Sequence, residues 1–291
     1  MWECPRWIEV YPHITGRVHA QTSPSTAYST EATIQHAKKL VALFETNGIP
    51  KSRVCIKIPA TPESIVACNY LERLGIRTLA TCLFSVPQAM AAHQAGCLYV
   101  APYFNGSAPF LLPPPILTPP YRNLKELRVH FEPGVWKEYG DTAREHPMAP
   151  VIGAIVQLYK GIGARTLVMP ASIVTAKEVL ALVSLKPDHL TLSGAVLDQL
   201  ATAESPAFLD EDPKPHHPEL PLESDPAGTK PTEPVNEPNV TGINFLENGA
   251  AALREAFAAD AETSRKMADA LKIFGEMEEK TKELLRAALK A

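Results

Sequence analysis

The chain of 291 residues is 45% apolar and 21% charged, a composition that suits a globular protein with one substantial core. Its net charge of −4 and pI near 6.2 provide no basic surface for nucleic acid, and no stretch has the uninterrupted apolar length of a membrane span or of a secretory leader. The expectation is a cytoplasmic protein without a nucleic-acid or membrane partner. Cys4, Cys55, Cys68, Cys82 and Cys97 are odd in number and contain no C-x-x-C pair, which argues for buried thiols rather than a disulfide framework or a zinc site.

In chain order, a first strand is expected over 16–21. Ser29 or Thr30 can then cap a helix whose apolar positions Ile34, Ala37, Val41 and Phe44 recur at helical spacing before Gly48. A strand over 54–58 leads to Thr61, a helix cap, followed by Pro62 and Glu63, which suit a first helical turn. That helix turns Ile65, Cys68, Leu71 and Leu74 inward and stops at Gly75. Strands over 76–81 and 98–103 flank a short helix over 87–95. Residues 106–125 (GSAPFLLPPPILTPPYRNLK) are proline-rich and apolar without either period, and read as an insertion loop or as translated non-coding sequence.

Regular order resumes after Glu132, with a helical stripe at Ile152, Ile155, Val156 and Tyr159. A strand over 166–169, a helix over 175–182, a strand over 189–192 and a helix over 195–203 follow. The alternation argues a parallel α/β sheet. Residues 1–204 thus read as one α/β barrel unit. Residues 205–242 carry nine prolines among many acids and read as a linker. His216 and His217 within it could touch a metal, but nothing nearby completes a ligand set, and solvated side chains are the simpler reading. Residues 243–291 read as a C-terminal helical segment, with Leu253 and Phe257, then Met267, Leu271 and Phe274, at helical spacing.

Lys57 interrupts an apolar strand. Val54, Ile56 and Ile58 share one face, while Cys55, Lys57 and Pro59 share the other. Both faces of a parallel sheet are covered, so the lysine has little bulk water. A desolvated lysine becomes an amine able to form a Schiff base with a carbonyl. It can equally snorkel to the strand end or pair with a carboxylate. Its place at the C-terminal end of a strand leading into a helix is where α/β barrels carry their active sites.

The run from Ile56 to Phe104, IKIPATPESIVACNYLERLGIRTLATCLFSVPQAMAAHQAGCLYVAPYF, resembles the central part of transaldolases. In that family a lysine and a Ser/Thr-rich turn precede a helix, then a G-I-x-x-N-x-T-L-x-F-S strand and turn, then A-G and an S-P-F strand end. The similarity extends to TLVMPAS over 166–172, to His189–Leu192, and back to Val18 and 28–34. The resemblance implies a TIM-like (β/α)8 barrel. About six strands are countable where such a barrel has eight, so the expected fold is an incomplete barrel lacking its first two strands.

The resemblance also implies a chemistry: Lys57 is the Schiff-base lysine, no cofactor is needed, and a dihydroxyacetone unit passes between sugar phosphates in the pentose phosphate pathway. Thr81 matches the threonine that helps to hold the catalytic water. Ungapped alignment places Gln21 at the family's carboxylate, where an amide can orient water but cannot take its proton. The other reading of Gln21 is an ordinary polar residue in a shifted turn. Leu79 replaces an asparagine. For substrate binding, Ser172 matches a phosphate-contacting serine and Tyr103 an aromatic wall, while Val174 stands in place of an arginine and Ala101 in place of a serine. Arg128 would lie near a second arginine position if the insertion loops out, or else is a solvated surface charge. A homodimer is a further expectation. The alternatives to a transaldolase are a plain class I sugar-phosphate aldolase and a catalytically impaired barrel that binds or regulates a partner.

Overall fold

A computed structural model describes residues 9–105, 138–203 and 242–289. The 106–125 insertion, Arg128, Cys4, His216, His217 and nearly all of the 205–242 linker lie outside the described residues. Five strands, β1 (Val18–Gln21), β2 (Val54–Pro59), β3 (Arg77–Leu83), β4 (Tyr99–Pro102) and β5 (Leu167–Val168), form one parallel sheet whose spatial order is its sequence order. Helices α1 (Thr30–Thr46), α2 (Pro62–Arg73) and α3 (Val86–Gln94) make the first three crossovers. The short α4 (Thr142–Glu145) and then α5 (Ala149–Gly161) lie between β4 and β5, and α6 (Ala176–Ser184) and α7 (Gly194–Thr202) follow β5.

Local chemistry sets these boundaries. The side chains of Ser29, Thr61, Thr175 and Ser193 accept from the backbone N–H groups of Ala32, Ser64, Glu178 and Val196, capping α1, α2, α6 and α7. Gly75 ends α2 with φ at 71°, a left-handed conformation that glycine adopts without steric cost.

The segment 189–192 is not a sixth strand, contrary to the expectation from its sequence. It still lies along β5: His189 N donates to Val168 O at 3.1 Å and Thr191 N to Pro170 O at 2.9 Å. A parallel ladder needs a return donor from the neighbouring strand, and at that position stands Pro170, which has no N–H. The carboxylate of Asp188 takes the N–H of Val168 at 2.7 Å, so the pairing runs one way only. The sheet is not closed, as in an incomplete barrel: among the described residues β1 pairs only with β2.

Alternation along the strands divides the interior in two. Val18, Ala20, Val54, Ile56, Ile58, Ala80, Val100 and Val168 pack outward against the helices, including Ile34, Val41, Phe44, Ile65 and Leu71. Cys55, Leu79, Ala101, Tyr103 and Ala171 face the concave lumen. Two C-terminal helices, α8 (Glu247–Ala259) and α9 (Ala261–Ala288), complete the molecule, and Asp260 caps α9 by accepting from Thr263 N at 2.9 Å. Met267, Ala270, Leu271 and Phe274 of α9 lie on the lumenal cluster, so one long helix covers the concave face.

Candidate active site

Lys57 is the fourth residue of β2, and its neighbours across the ladder are Gln21 on β1 and Leu79 on β3. The side chain keeps a partial opening to solvent while protein atoms surround most of it. Burial holds its ammonium below the ordinary lysine range, opposed weakly by the thiol of Cys82, and no carboxylate among the described residues enters the balance. The ring of Tyr103 lies 5.8 Å from Nζ. Among the described residues no carboxylate pairs with this lysine, and burial is the main influence on its charge.

Thr81 and Tyr103 meet beside it. Thr81 Oγ1 donates to the Tyr103 hydroxyl at 3.0 Å, and Cys82 Sγ lies 3.7 Å from the same oxygen. Consecutive residues of a regular strand point to opposite faces, so this arrangement needs an irregularity. The ladder between β3 and β4 shifts register between Ala80 and Leu83, and Cys82 sits at φ 53°. A left-handed non-glycine residue costs about 1–3 kcal/mol and is typical of functional sites. The result brings both side chains to one hydroxyl. Burial pushes the Tyr103 phenol well above its usual range, so it keeps its proton at neutral pH. Phe84 packs edge-on against the Tyr103 ring at 5.7 Å.

Gln21 is Lys57's direct partner in the ladder, and the residue also borders a separate space. A cavity of about 380 Å³ lies at the open edge of β1 under α1 and α9, bordered by Gln21, Thr22, Ser23, His36, Phe274 and Glu278 but not by Lys57. Leu79, buried beside Lys57, offers only apolar contact. Ser172 lies at the strand end next to Ala171, which bridges to Tyr103. At φ 62° it turns its Oγ to donate to Asn105 O at 2.7 Å. Asn105 Nδ2 and Val174 N donate to the buried carboxylate of Glu178 at 2.9 and 2.8 Å. The turn is satisfied internally.

Three features were not read from the sequence. The rings of His19 and His189 flank Tyr99, at 5.6 and 5.7 Å, and fill the lumen on its N-terminal side. Burial, then the charge of Lys57, lowers the His19 imidazole to about 4 and keeps it neutral. Cys82 contributes the bulge. Lys266 of α9 stands over the Phe84 ring at 5.8 Å, and only folding brings it there from a segment remote in sequence.

A parallel sheet built one strand after another, with helices outside and a desolvated lysine on the lumenal side near a strand's C-terminal end, defines the class of lysine-bearing (β/α) barrel proteins. The family model described as Transaldolase/Fructose-6-phosphate aldolase matches residues 6–268, and the chain belongs to that family. Relatives include a transaldolase of Pseudoalteromonas atlantica, 28% identical over 94% of this chain and 72% of its own length. Transaldolases of Methylobacillus flagellatus and Glaesserella parasuis are 30% and 32% identical over 68% of this chain, which covers 55% and 56% of their lengths.

Proposed function

We propose that this protein is a transaldolase-type transferase, acting in the cytoplasm on phosphorylated sugars through an imine on Lys57 and without a cofactor. In this reading the neutral amine of Lys57 adds to the ketone carbon of a ketose phosphate and loses water to give an iminium. The iminium accepts the electron pair of the adjacent C–C bond as the aldose leaves, and the resulting enamine attacks the carbonyl of a second aldose. Hydrolysis then frees the new ketose and the amine. The family assignment supports the reaction class. The observation that carries the residue is the lowered, acid-free ammonium of Lys57.

Cleavage also requires a proton to leave the hydroxyl of the departing fragment. Gln21 cannot accept it. In our reading a water takes that proton, and Tyr103, hydrogen-bonded by Thr81 and itself protonated, orients the reactive region. The deciding experiment is borohydride reduction in the presence of dihydroxyacetone or fructose 6-phosphate. A stable mass increase mapped to the peptide holding Lys57, absent in Lys57→Met, is the expected result. An unmodified, folded protein beside a labelled active transaldolase would sink the proposal.

A further inference from the structure

The mouth of the lumen holds two N–H donors with little oxygen around them: the ammonium of Lys266, whose carboxylate contact is long, and the imidazole of His146. Lys266 on α9 has a side chain only 16% exposed, and its Nζ rests 5.8 Å from the Phe84 ring centre and 3.9 Å from Met148 Sδ. The nearest carboxylate oxygen, Glu262 Oε1, is 3.6 Å away, and both Glu262 oxygens are already held by Arg265, at 2.8 and 2.9 Å. Asp260 also feels this lysine, but its oxygens serve Thr263. A largely covered ammonium whose carboxylate contact is long and shared with Arg265, and whose other neighbours are a ring and a thioether, keeps donor capacity for an anion.

His146 borders the same place. Its ring stacks on Phe104 at 3.8 Å, and Nδ1 accepts the backbone N–H of Met148 at 3.2 Å, which leaves the proton of the neutral ring on Nε2. Burial and the charge of Lys266 keep that ring neutral. Both groups flank Met148 and stand on the aromatic strand ends, Phe84 and Phe104. Phe84 in turn packs on Tyr103, whose ring lies 5.8 Å from Lys57 Nζ.

We infer that Lys266 and the Nε2–H of His146 form a site for a phosphate-like anion at the lumen mouth, and that this site, not the turn at Ser172, receives the charged end of the substrate. The second half rests on the imine reading above. The turn at Ser172 is unsuited because its hydroxyl, the Asn105 amide and the Val174 N–H are all occupied, and the buried Glu178 carboxylate opposes an anion. An ammonium with an imidazole N–H matches the charge-assisted bonding that phosphate oxygens accept.

Equilibrium dialysis of the full chain with radiolabelled inorganic phosphate tests the site itself. Binding should weaken at least tenfold in Lys266→Met, be retained within about threefold in Lys266→Arg, and persist in Lys57→Met. Borohydride trapping tests the substrate role: in Lys266→Met the ratio of half-saturating concentrations, fructose 6-phosphate over dihydroxyacetone, should rise at least tenfold. Folded wild type that binds no phosphate, or Lys266→Met that binds as well, overturns the site. An unaltered ratio with both ketones trapped shows that Lys266 only supports the fold. Phosphate binding that depends on Lys266, with neither ketone trapped by wild type, keeps the anion site and retires the imine reading instead.

Discussion

The two faces of the sheet obey the same backbone rules and end in opposite chemistry. Outward, Val, Ile and Ala side chains from all five strands meet the helices in a continuous apolar layer. Inward, the same strands present Cys55, Lys57, Leu79, Tyr99 and Tyr103, and a single long helix, α9, supplies much of the cover. The outward layer can be argued from volume and area alone. The lumenal layer accepts a desolvated ammonium, a left-handed cysteine and buried hydroxyls, each of which costs stability. What the difference teaches is that one residue of alternation separates the part of the chain that holds the fold from the part that can do chemistry.

The comparison is broken most completely by Lys57→Met. Trapping should fall to nothing while stability in chemical denaturation holds or rises, because an apolar side chain of similar length replaces a desolvated ammonium. A large loss of stability would show that the lysine is structural after all. On the outer face, Ile58→Ala should cost about 2–5 kcal/mol, since Ile58 is fully buried against the helices and its removal leaves a cavity. Trapping by the remaining folded fraction should survive.

Tyr103→Phe sharpens the lumenal side. It leaves the Thr81 hydroxyl without its acceptor, so a cost of about 1–3 kcal/mol is expected. Turnover should fall by about two orders of magnitude if the phenol orients the water that takes the proton, whereas a merely structural tyrosine would lose stability and keep its rate. A further effect concerns His19. Its folded value near 4 lies below the ordinary 6.5, so between these limits the unfolded chain binds more protons and stability rises with pH. The rise, about 3 kcal/mol at most, should be missing from the pH dependence of denaturation midpoints in His19→Gln. A separate alkaline rise applies to Lys57: stability should increase as pH climbs from its lowered folded value towards about 10.5, and Lys57→Met should lack it.

Much of this architecture was legible along the chain. Thr61, Pro62 and Gly75 bracket α2 as their local chemistry demands, and the stripe at Ile152, Ile155, Val156 and Tyr159 is the buried face of α5. The strand over 189–192 was overcounted because its apolar alternation says nothing of the neighbour, and the missing donor belongs to Pro170. The 205–242 and 106–125 readings remain proposals, as does the role of Arg128. Lys57 stood out because a charge within an apolar alternation is a local anomaly that any reader of the sequence can see.

The sequence alone determined the parallel α/β class, the helix limits and the singular position of Lys57, since periodicity, caps and a misplaced charge act over a few residues. Tertiary structure decided that Gln21 stands beside Lys57 in the ladder and borders a cavity at the sheet edge, and that Thr81 and Cys82 both reach Tyr103 through a shifted ladder. It also decided that Ser172 spends its hydroxyl on Asn105 and that Lys266 arrives over Phe84 from the far end of the chain. Register, burial and the pairing of donors depend on which segments pack together, and those contacts span up to hundreds of residues that local spacing cannot connect.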